Sequence, residues 1–507
     1  MSDQRLRWLR GRSGFWAAVL AITISGALLR VIASRESLAF DELYLYSWVH
    51  GRSFTGMLEV VGENEKTPPL GFILAWLADQ SGGSPQLIRI PSLLAAIGLL
   101  PATAMLGRRA ANSAAGLIGA LLLAASPFAL FYAAEARSYS LAALFGVIAV
   151  LLLLKALDAH RARWWVLYSL ASAAALMSHY TAIAVLAAAA IWALIARRKR
   201  WRQVVAAQLG PLIALLAWLP WLGTQIGNSS DELHRIAAGA PLSLETLVRI
   251  SERSLIGHPL TDLARIPGQL ATVAIAVGVL SAACYSAISA IRRRQRGELG
   301  RPTDLTLLLF AVAASAPLLA VLLSLQPGQS MLLPRNLFVS LPAVMLLVGI
   351  LIQRCPRPLA IASTLLIVVG LAAGSVEELR SVNRPATAEA AAAVNSAWRA
   401  GDRVIDLCCL NGADGPLGSE LRINLDPAPA RSLSLVTVDG AEAYMRALRS
   451  RSRVFIIGYR VHGSNQILFD TPPPSFEAAY RPVWAKSWPG LLSTVLREYR
   501  PIEQPRR

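Results

Sequence analysis

The chain has 507 residues, 55% of them hydrophobic and only 16% charged, with a mean hydropathy of +0.48. That balance excludes an ordinary soluble enzyme and points to a polytopic membrane protein. The formal net charge of +18 does not mark a nucleic-acid surface, because the Lys and Arg residues sit in short clusters between apolar runs, the pattern of loops that anchor membrane helices.

Residues 1–12 are basic and precede an apolar run of about twenty residues with no small-residue cleavage site after it, which predicts a retained first helix rather than a removed signal peptide. Further apolar segments follow at 87–107, 114–132, 138–155, 164–177, 181–196, 204–223, 268–291, 305–325, 337–352 and 359–374. With 15–34, that makes about eleven crossings. The short run 70–78 is read as a re-entrant or interfacial helix. With the N-terminus cytoplasmic, the basic clusters 108–109, 155–163, 197–202, 292–301 and 354–357 all fall on the cytoplasmic side. A full crossing at 70–78 would break that agreement. The loops at 35–67 and 225–266 and the tail then lie outside. The cysteines, Cys284, Cys355, Cys408 and Cys409, form no disulfide framework or CxxC metal site.

The expected fold is mainly α, a transmembrane domain over 1–375, followed by a small α/β extracytoplasmic domain over 376–507. In the tail, apolar bursts at 403–407 and 454–458 alternate with helical patterns at 386–399 and 441–451.

Once the anchoring cations are set aside, Asp41, Glu42, Lys66, Glu135, Arg137, Tyr139, His179, Tyr180, His258 and Arg335 all reach the same, outer, end of the predicted helices. Ionisable groups are costly at helix ends in a membrane unless they pair or act, so a one-sided set drawn from distant segments points to a shared polar cavity. For any one residue, an ordinary polar helix end is the competing account.

Several of these residues stand in short motifs. They are the Asp41-Glu42 pair in the first outer loop, Thr67-Pro68-Pro69-Leu70, Ser126-Pro127-Phe128, the run from Tyr132 to Tyr139, and the Ser178-His179-Tyr180 corner. In this order the motifs resemble the polyprenyl-phosphate-sugar-dependent membrane glycosyltransferases of the C-type fold. That superfamily includes the protein O-mannosyltransferases and the lipid A aminoarabinose transferase. The resemblance covers roughly residues 15–374 and is densest in the first half.

It implies a lipid monophosphate sugar as donor and Asp41 as general base. A carboxylate there would take the proton from an acceptor hydroxyl as its oxygen attacks the anomeric carbon, with inversion. Glu42 would tune Asp41 or hydrogen-bond the sugar, or is a solvated loop carboxylate. The leaving lipid phosphate calls for cations, for which Lys66, Arg137 and Arg335 are the candidates. Lys66 is displaced by one position from the family pattern, which has its basic residue where Thr67 stands. Arg137 opens a helix, where the macrodipole disfavours a cation, and so needs a functional reason. Glu135 is a candidate partner for it. Arg335 matches a family Arg whose following Tyr is Asn336 here.

Glu135, Tyr139, His179 and Tyr180 would line the substrate pocket. His258 reads as structural or solvated. Superfamily members divide over divalent metal, and Glu42, Glu65, His179 and His258 are the candidate ligands; they lack ligand spacing, so no cofactor is predicted and a divalent metal stays the alternative. The expected partners are the lipid donor, the bilayer and a glycan, lipid or protein acceptor, at a cell (inner) membrane. The rival reading is a transporter or flippase of a lipid-linked sugar, which calls for broken helices and internal symmetry. The sequence displays neither.

Overall fold

The computed structural model describes residues 12–38, 41–159, 161–296, 303–380, 384–407, 420–461, 467–469, 472–489 and 492–502. The basic N-terminal stretch up to residue 11, Ala39-Phe40, Arg301, Cys408 and Cys409 lie outside the described residues. The chain divides into two compact units, one of residues 1–34, 51–81 and 88–377, the other of 35–50, 82–87 and 378–507.

The first unit is helical. Among the described residues, seven helices are long and apolar enough to cross a membrane: Ser13–Ala33, Pro85–Ala110, Tyr139–Ala159, Ala264–Gln295, Asp304–Leu323, Pro334–Gln353 and Arg357–Arg380. Two bent pairs raise the count to nine. The expected eleven also included Ala162–Ser178 and Ala182–Ala196, which are 17 and 15 residues long. At 1.5 Å per residue they span about 26 and 23 Å, short of a roughly 30 Å hydrocarbon core. Leu70–Asp79, at 10 residues, reaches about half of that thickness.

The bent pairs correct the expectation of unbroken helices. Ser113–Ala125 meets Pro127–Ala133 at 66°, and Arg198–Ala217 meets Leu219–Gly227 at 72°. At the first bend, Ser126 is extended, as the residue before a proline prefers. Its hydroxyl accepts from the Ala129 N–H, so one residue stops a helix and caps the next. Residues 224–239, expected as loop, continue the helix Leu219–Gly239, and a separate helix Leu244–Leu255 follows. The polar face of this stretch hid its helicity, since no apolar run marks it.

Helix packing in this unit relies on missing side chains. A Cβ at Gly116 would lie 2.3 Å from the Ala104 carbonyl oxygen, and one at Gly349 would lie 2.6 Å from that of Ala115. Helix axes approach this closely only where small residues face each other.

The second unit is a mixed sheet with helices on both faces. Its strands are β1 (Arg403–Asp406), β2 (Leu433–Leu435), β3 (Val454–Val461), β4 (Ile467–Phe469), β5 (Tyr480–Trp488) and β6 (Leu492–Pro501), in the order β2-β1-β3-β6-β5 with β4 beside β3. β1 runs parallel to β2 and β3, whereas β6 is antiparallel to β3 and β5. Alternation along β3 sends Phe455 and Ile457 into a core with Val394 of Thr387–Ala397, and Val454 and Ile456 into one with Ala443 and Ala447 of Ala441–Ser450.

This unit also takes in residues 35–50 and 82–87, which the sequence reading assigned to the transmembrane part. The cause is visible at Arg384. Its buried guanidinium bridges Glu36 at 2.9 Å and Glu42 at 3.2 Å, while Ser37 Oγ accepts from the Ala388 N–H.

Because the group that blocks a Cβ at Gly116 is backbone and cannot swing aside, Gly116→Ala is expected to cost about 1–3 kcal/mol and lower the melting temperature in detergent. Gly223→Ala, with no atom within 4 Å of the added carbon, should show no such loss in the same melt.

Candidate active site

Three stretches of the helical unit converge on one hollow. The first is Glu65-Lys66-Thr67. Helix Phe54–Asn64 ends at Glu65 in extended backbone, and Pro68-Pro69 keeps it from continuing before Leu70–Asp79 begins. The second is the turn between Pro127–Ala133 and Tyr139–Ala159, which carries Arg137. Its backbone is anchored by the Ser92 hydroxyl, which donates to the Arg137 carbonyl at 3.0 Å. The third is the His179-Tyr180-Thr181 corner between Ala162–Ser178 and Ala182–Ala196. Arg335 joins them from the short helix Pro334–Leu337.

The hollow has a volume of about 280 Å³ and two kinds of wall. Its polar side is built from Glu65, Lys66, Thr67, Arg137, Tyr139, His179, Tyr180, Arg335 and Asn336. Its other side is aliphatic, from Ile183, Leu233, Ile236, Leu319, Leu323, Met331 and Leu333. All three cations expected to hold a phosphate thus line the same space, together with Tyr139, His179 and Tyr180. Glu135 is not among the lining residues.

The carboxylate seen on Arg137 is that of Glu65, with Nη1 to Oε2 at 2.9 Å and both side chains about nine-tenths buried. The other oxygen of Glu65 accepts from the Lys66 backbone N–H at 2.8 Å. One carboxylate therefore orients one cation and fixes the backbone that presents another. Glu65 stands beside Lys66 in the charged loop, but nothing in the sequence pairs it with a residue seventy-two positions on.

His179 is buried, and its Nδ1 accepts from the Thr181 N–H at 3.3 Å and lies 2.8 Å from the Thr181 hydroxyl. Burial first, and the charges of Arg137 and Arg335 next, push its pKa down to about 3. The ring is therefore neutral at physiological pH, and with Nδ1 accepting, its proton sits on Nε2. Tyr180 donates to Gln225 Oε1 at 2.7 Å, and burial pushes its pKa up to about 12. Gln225 also accepts from Trp218 Nε1 at 3.1 Å and donates to the Thr67 carbonyl at 3.2 Å. This buried amide ties two walls of the cavity together, and no sequence signal marks it, because it is a neutral residue in an expected loop.

Asp41 and Glu42 belong to the second unit, in the first turn of the helix Asp41–Val49. Asp41 is half-buried. Glu42 is fully buried and paired with Arg384, so it is neither a solvated loop carboxylate nor an open one. His258 is buried against the Phe131 ring, with Nδ1 accepting from the Leu260 N–H, which is the structural alternative of the sequence reading. Among the described residues, no three His, Cys, Asp or Glu side chains gather as a metal site would need.

Residues 66–223 match the family described as dolichyl-phosphate-mannose-protein mannosyltransferase. No curated protein sequence matches the chain. Among solved structures, ArnT from Cupriavidus metallidurans bound to undecaprenyl phosphate matches with a TM-score of 0.53 at 13% identity, covering 96% of this chain and 98% of that one. ArnT in its apo state gives 0.52 at 13% identity with the same coverage. An oligosaccharyltransferase from Archaeoglobus fulgidus gives 0.47 at 11% identity, covering 87% and 69%. The family match over residues 66–223 and the ArnT fold, followed along nearly the whole length, agree with the resemblance: the chain has the fold of ArnT and, over that stretch, is similar to the mannosyltransferase family.

Proposed function

We propose that the protein transfers a sugar from a polyprenyl monophosphate to an acceptor hydroxyl on the non-cytoplasmic face of a cell membrane. The observation that carries this reading is the two-sided cavity. Lys66, Arg137 and Arg335 bring three positive charges, Glu65 offsets one, and the remaining excess suits a phosphate. The aliphatic wall suits the first isoprene units behind it. Leu319 and Leu323 lie one turn apart on Asp304–Leu323, and Leu323 is exposed. A soluble anion would have no use for that wall.

In this reading the acceptor oxygen attacks the anomeric carbon as the bond from that carbon to the phosphate oxygen breaks. Asp41 takes the acceptor proton, and the lipid phosphate leaves with its charge held by the cations. Glu42, locked to Arg384, positions the helix that carries Asp41. Neutral His179 can donate from Nε2 to a sugar or phosphate oxygen without adding a fourth charge. The sidedness follows from the basic clusters gathered at the opposite helix ends. ArnT, the fold relative, was crystallised with undecaprenyl phosphate, which supports a lipid phosphate ligand here. The bent helices keep a flippase as the second reading, and the two part on Asp41: transport has no step for a base.

Asp41→Asn is expected to abolish transfer from a purified polyprenyl-phosphate sugar while leaving donor binding intact. Retained transfer removes Asp41 from the mechanism. Arg137→Ala should weaken donor binding about ten- to hundredfold, the loss of a charge-assisted contact, read by titration of the lipid phosphate. Unaltered affinity would make Arg137 structural.

His179 supplies a pH signature. Its folded pKa, about 3, lies below the unfolded value of 6.5, so the unfolded chain takes up the extra proton. Stability from the neutral ring is complete above pH 6.5 and is lost as the pH falls toward 3. Melting temperature should fall more steeply over that window in the wild type than in His179→Gln, and equal slopes would refute a buried neutral ring.

A further inference from the structure

A second cavity, of about 540 Å³, lies in the same helical unit at the other ends of its helices. Tyr139 opens the helix Tyr139–Ala159 and lines the first cavity, whereas Lys155, sixteen residues on, lines the second. At 1.5 Å per residue the two are about 24 Å apart along the axis. The hollow is therefore no part of the candidate active site.

Its chemistry is again two-sided. Arg108, Arg109 and Lys155 supply charge, while Phe15, Trp16 and Trp164 supply aromatic surface, with aliphatic side chains between them. Asp158 offsets Arg109. Arg108 has no carboxylate partner among the described residues and lies over the Phe15 ring, 4.5 Å from its centroid. Lys155 likewise lies 5.5 Å from the Trp164 centroid. Two cations held by rings alone keep their attraction for an anion. Trp16 is 44% exposed and Met105 is 42% exposed, so the apolar part opens at the helix surface.

We infer that this cavity is a binding site for an anionic glycerophospholipid, its phosphate between Arg108 and Lys155 and its first acyl methylenes against Leu151 and Trp16. A basic pocket between membrane helices with tryptophans at its rim provides both parts that such a lipid needs. A free phosphate would leave the apolar wall unused. The polyprenyl phosphate of the proposed donor has its own cavity at the far helix ends.

The test is native mass spectrometry of the intact, detergent-purified protein with added phosphatidylglycerol or phosphatidylcholine of the same acyl chains. Phosphatidylglycerol should bind in preference, and the double variant Arg108→Gln/Lys155→Gln should weaken it about thirtyfold, the effect of two interfacial charges. Equal binding of the two lipids, or undiminished phosphatidylglycerol binding in the double variant, overturns the inference. Competition by inorganic phosphate at equal potency would show an anion site with no lipid preference, and displacement by undecaprenyl phosphate would assign the cavity to the donor lipid; either overturns it too. A photoactivatable phosphatidylglycerol on the wild type needs no variant to fold. Labelling should map to the peptides holding residues 105–109 and 151–155, and labelling confined elsewhere refutes the site.

Discussion

The cavity depends on the pair between Glu65 and Arg137. An arginine brought to the start of a helix faces the positive end of the macrodipole, and one nine-tenths buried also loses most of its hydration. Glu65 answers both costs from a neighbouring segment, and does so with a single oxygen, since its second is engaged by the Lys66 N–H. Removing either partner of such a pair strands a buried charge, at a cost of about 3–5 kcal/mol. The pair thus joins two distant segments of chain into one wall and keeps the guanidinium aimed while no anion is bound.

Electrostatics then propagates outward from that wall. Buried, and with Arg137 and Arg335 both acting on it, His179 is neutral at physiological pH, so the corner it caps contributes hydrogen-bonding capacity without charge. Gln225 does the corresponding work on the other flank, where a charged residue would compete with the cations for the ligand. Its amide bonds to Tyr180, Trp218 and the Thr67 backbone at once. The polar side of the cavity therefore carries three cations, one of them paired with Glu65, among otherwise neutral groups, which favours one compact anion over a dispersed set of contacts.

What the sequence disclosed follows from where charge is conspicuous. Lys66, Arg137 and Arg335 stand out because an apolar chain carries few charges away from its basic loops, and all three line the cavity. Ser126-Pro127 and Pro68-Pro69 likewise announce their breaks, since proline acts locally. Gln225 and the helix beyond residue 223 stayed hidden because neither charge nor an apolar run marks them. The pairing of Glu42 stayed hidden for another reason. Its partner, Arg384, lies across most of the chain, and no local pattern reports a pairing at that separation. The expected crossings outnumber the long apolar helices because hydropathy is continuous along the chain, and a helix of 15 residues is at least as apolar as one of 24.

That distant pairing matters to how the second unit is built. Arg384 meets Glu36 and Glu42 in nearly complete burial, and Ser37 accepts from the backbone just beyond it. Three contacts from the stretch 36–42 hold the start of the helix Asp41–Val49, of which Asp41 is the first residue. Moving Asp41 alone would require breaking a buried two-carboxylate clamp on one guanidinium, whereas moving the clamp moves Asp41 with it. A carboxylate so mounted is positioned by the sheet unit it belongs to rather than by its own loop.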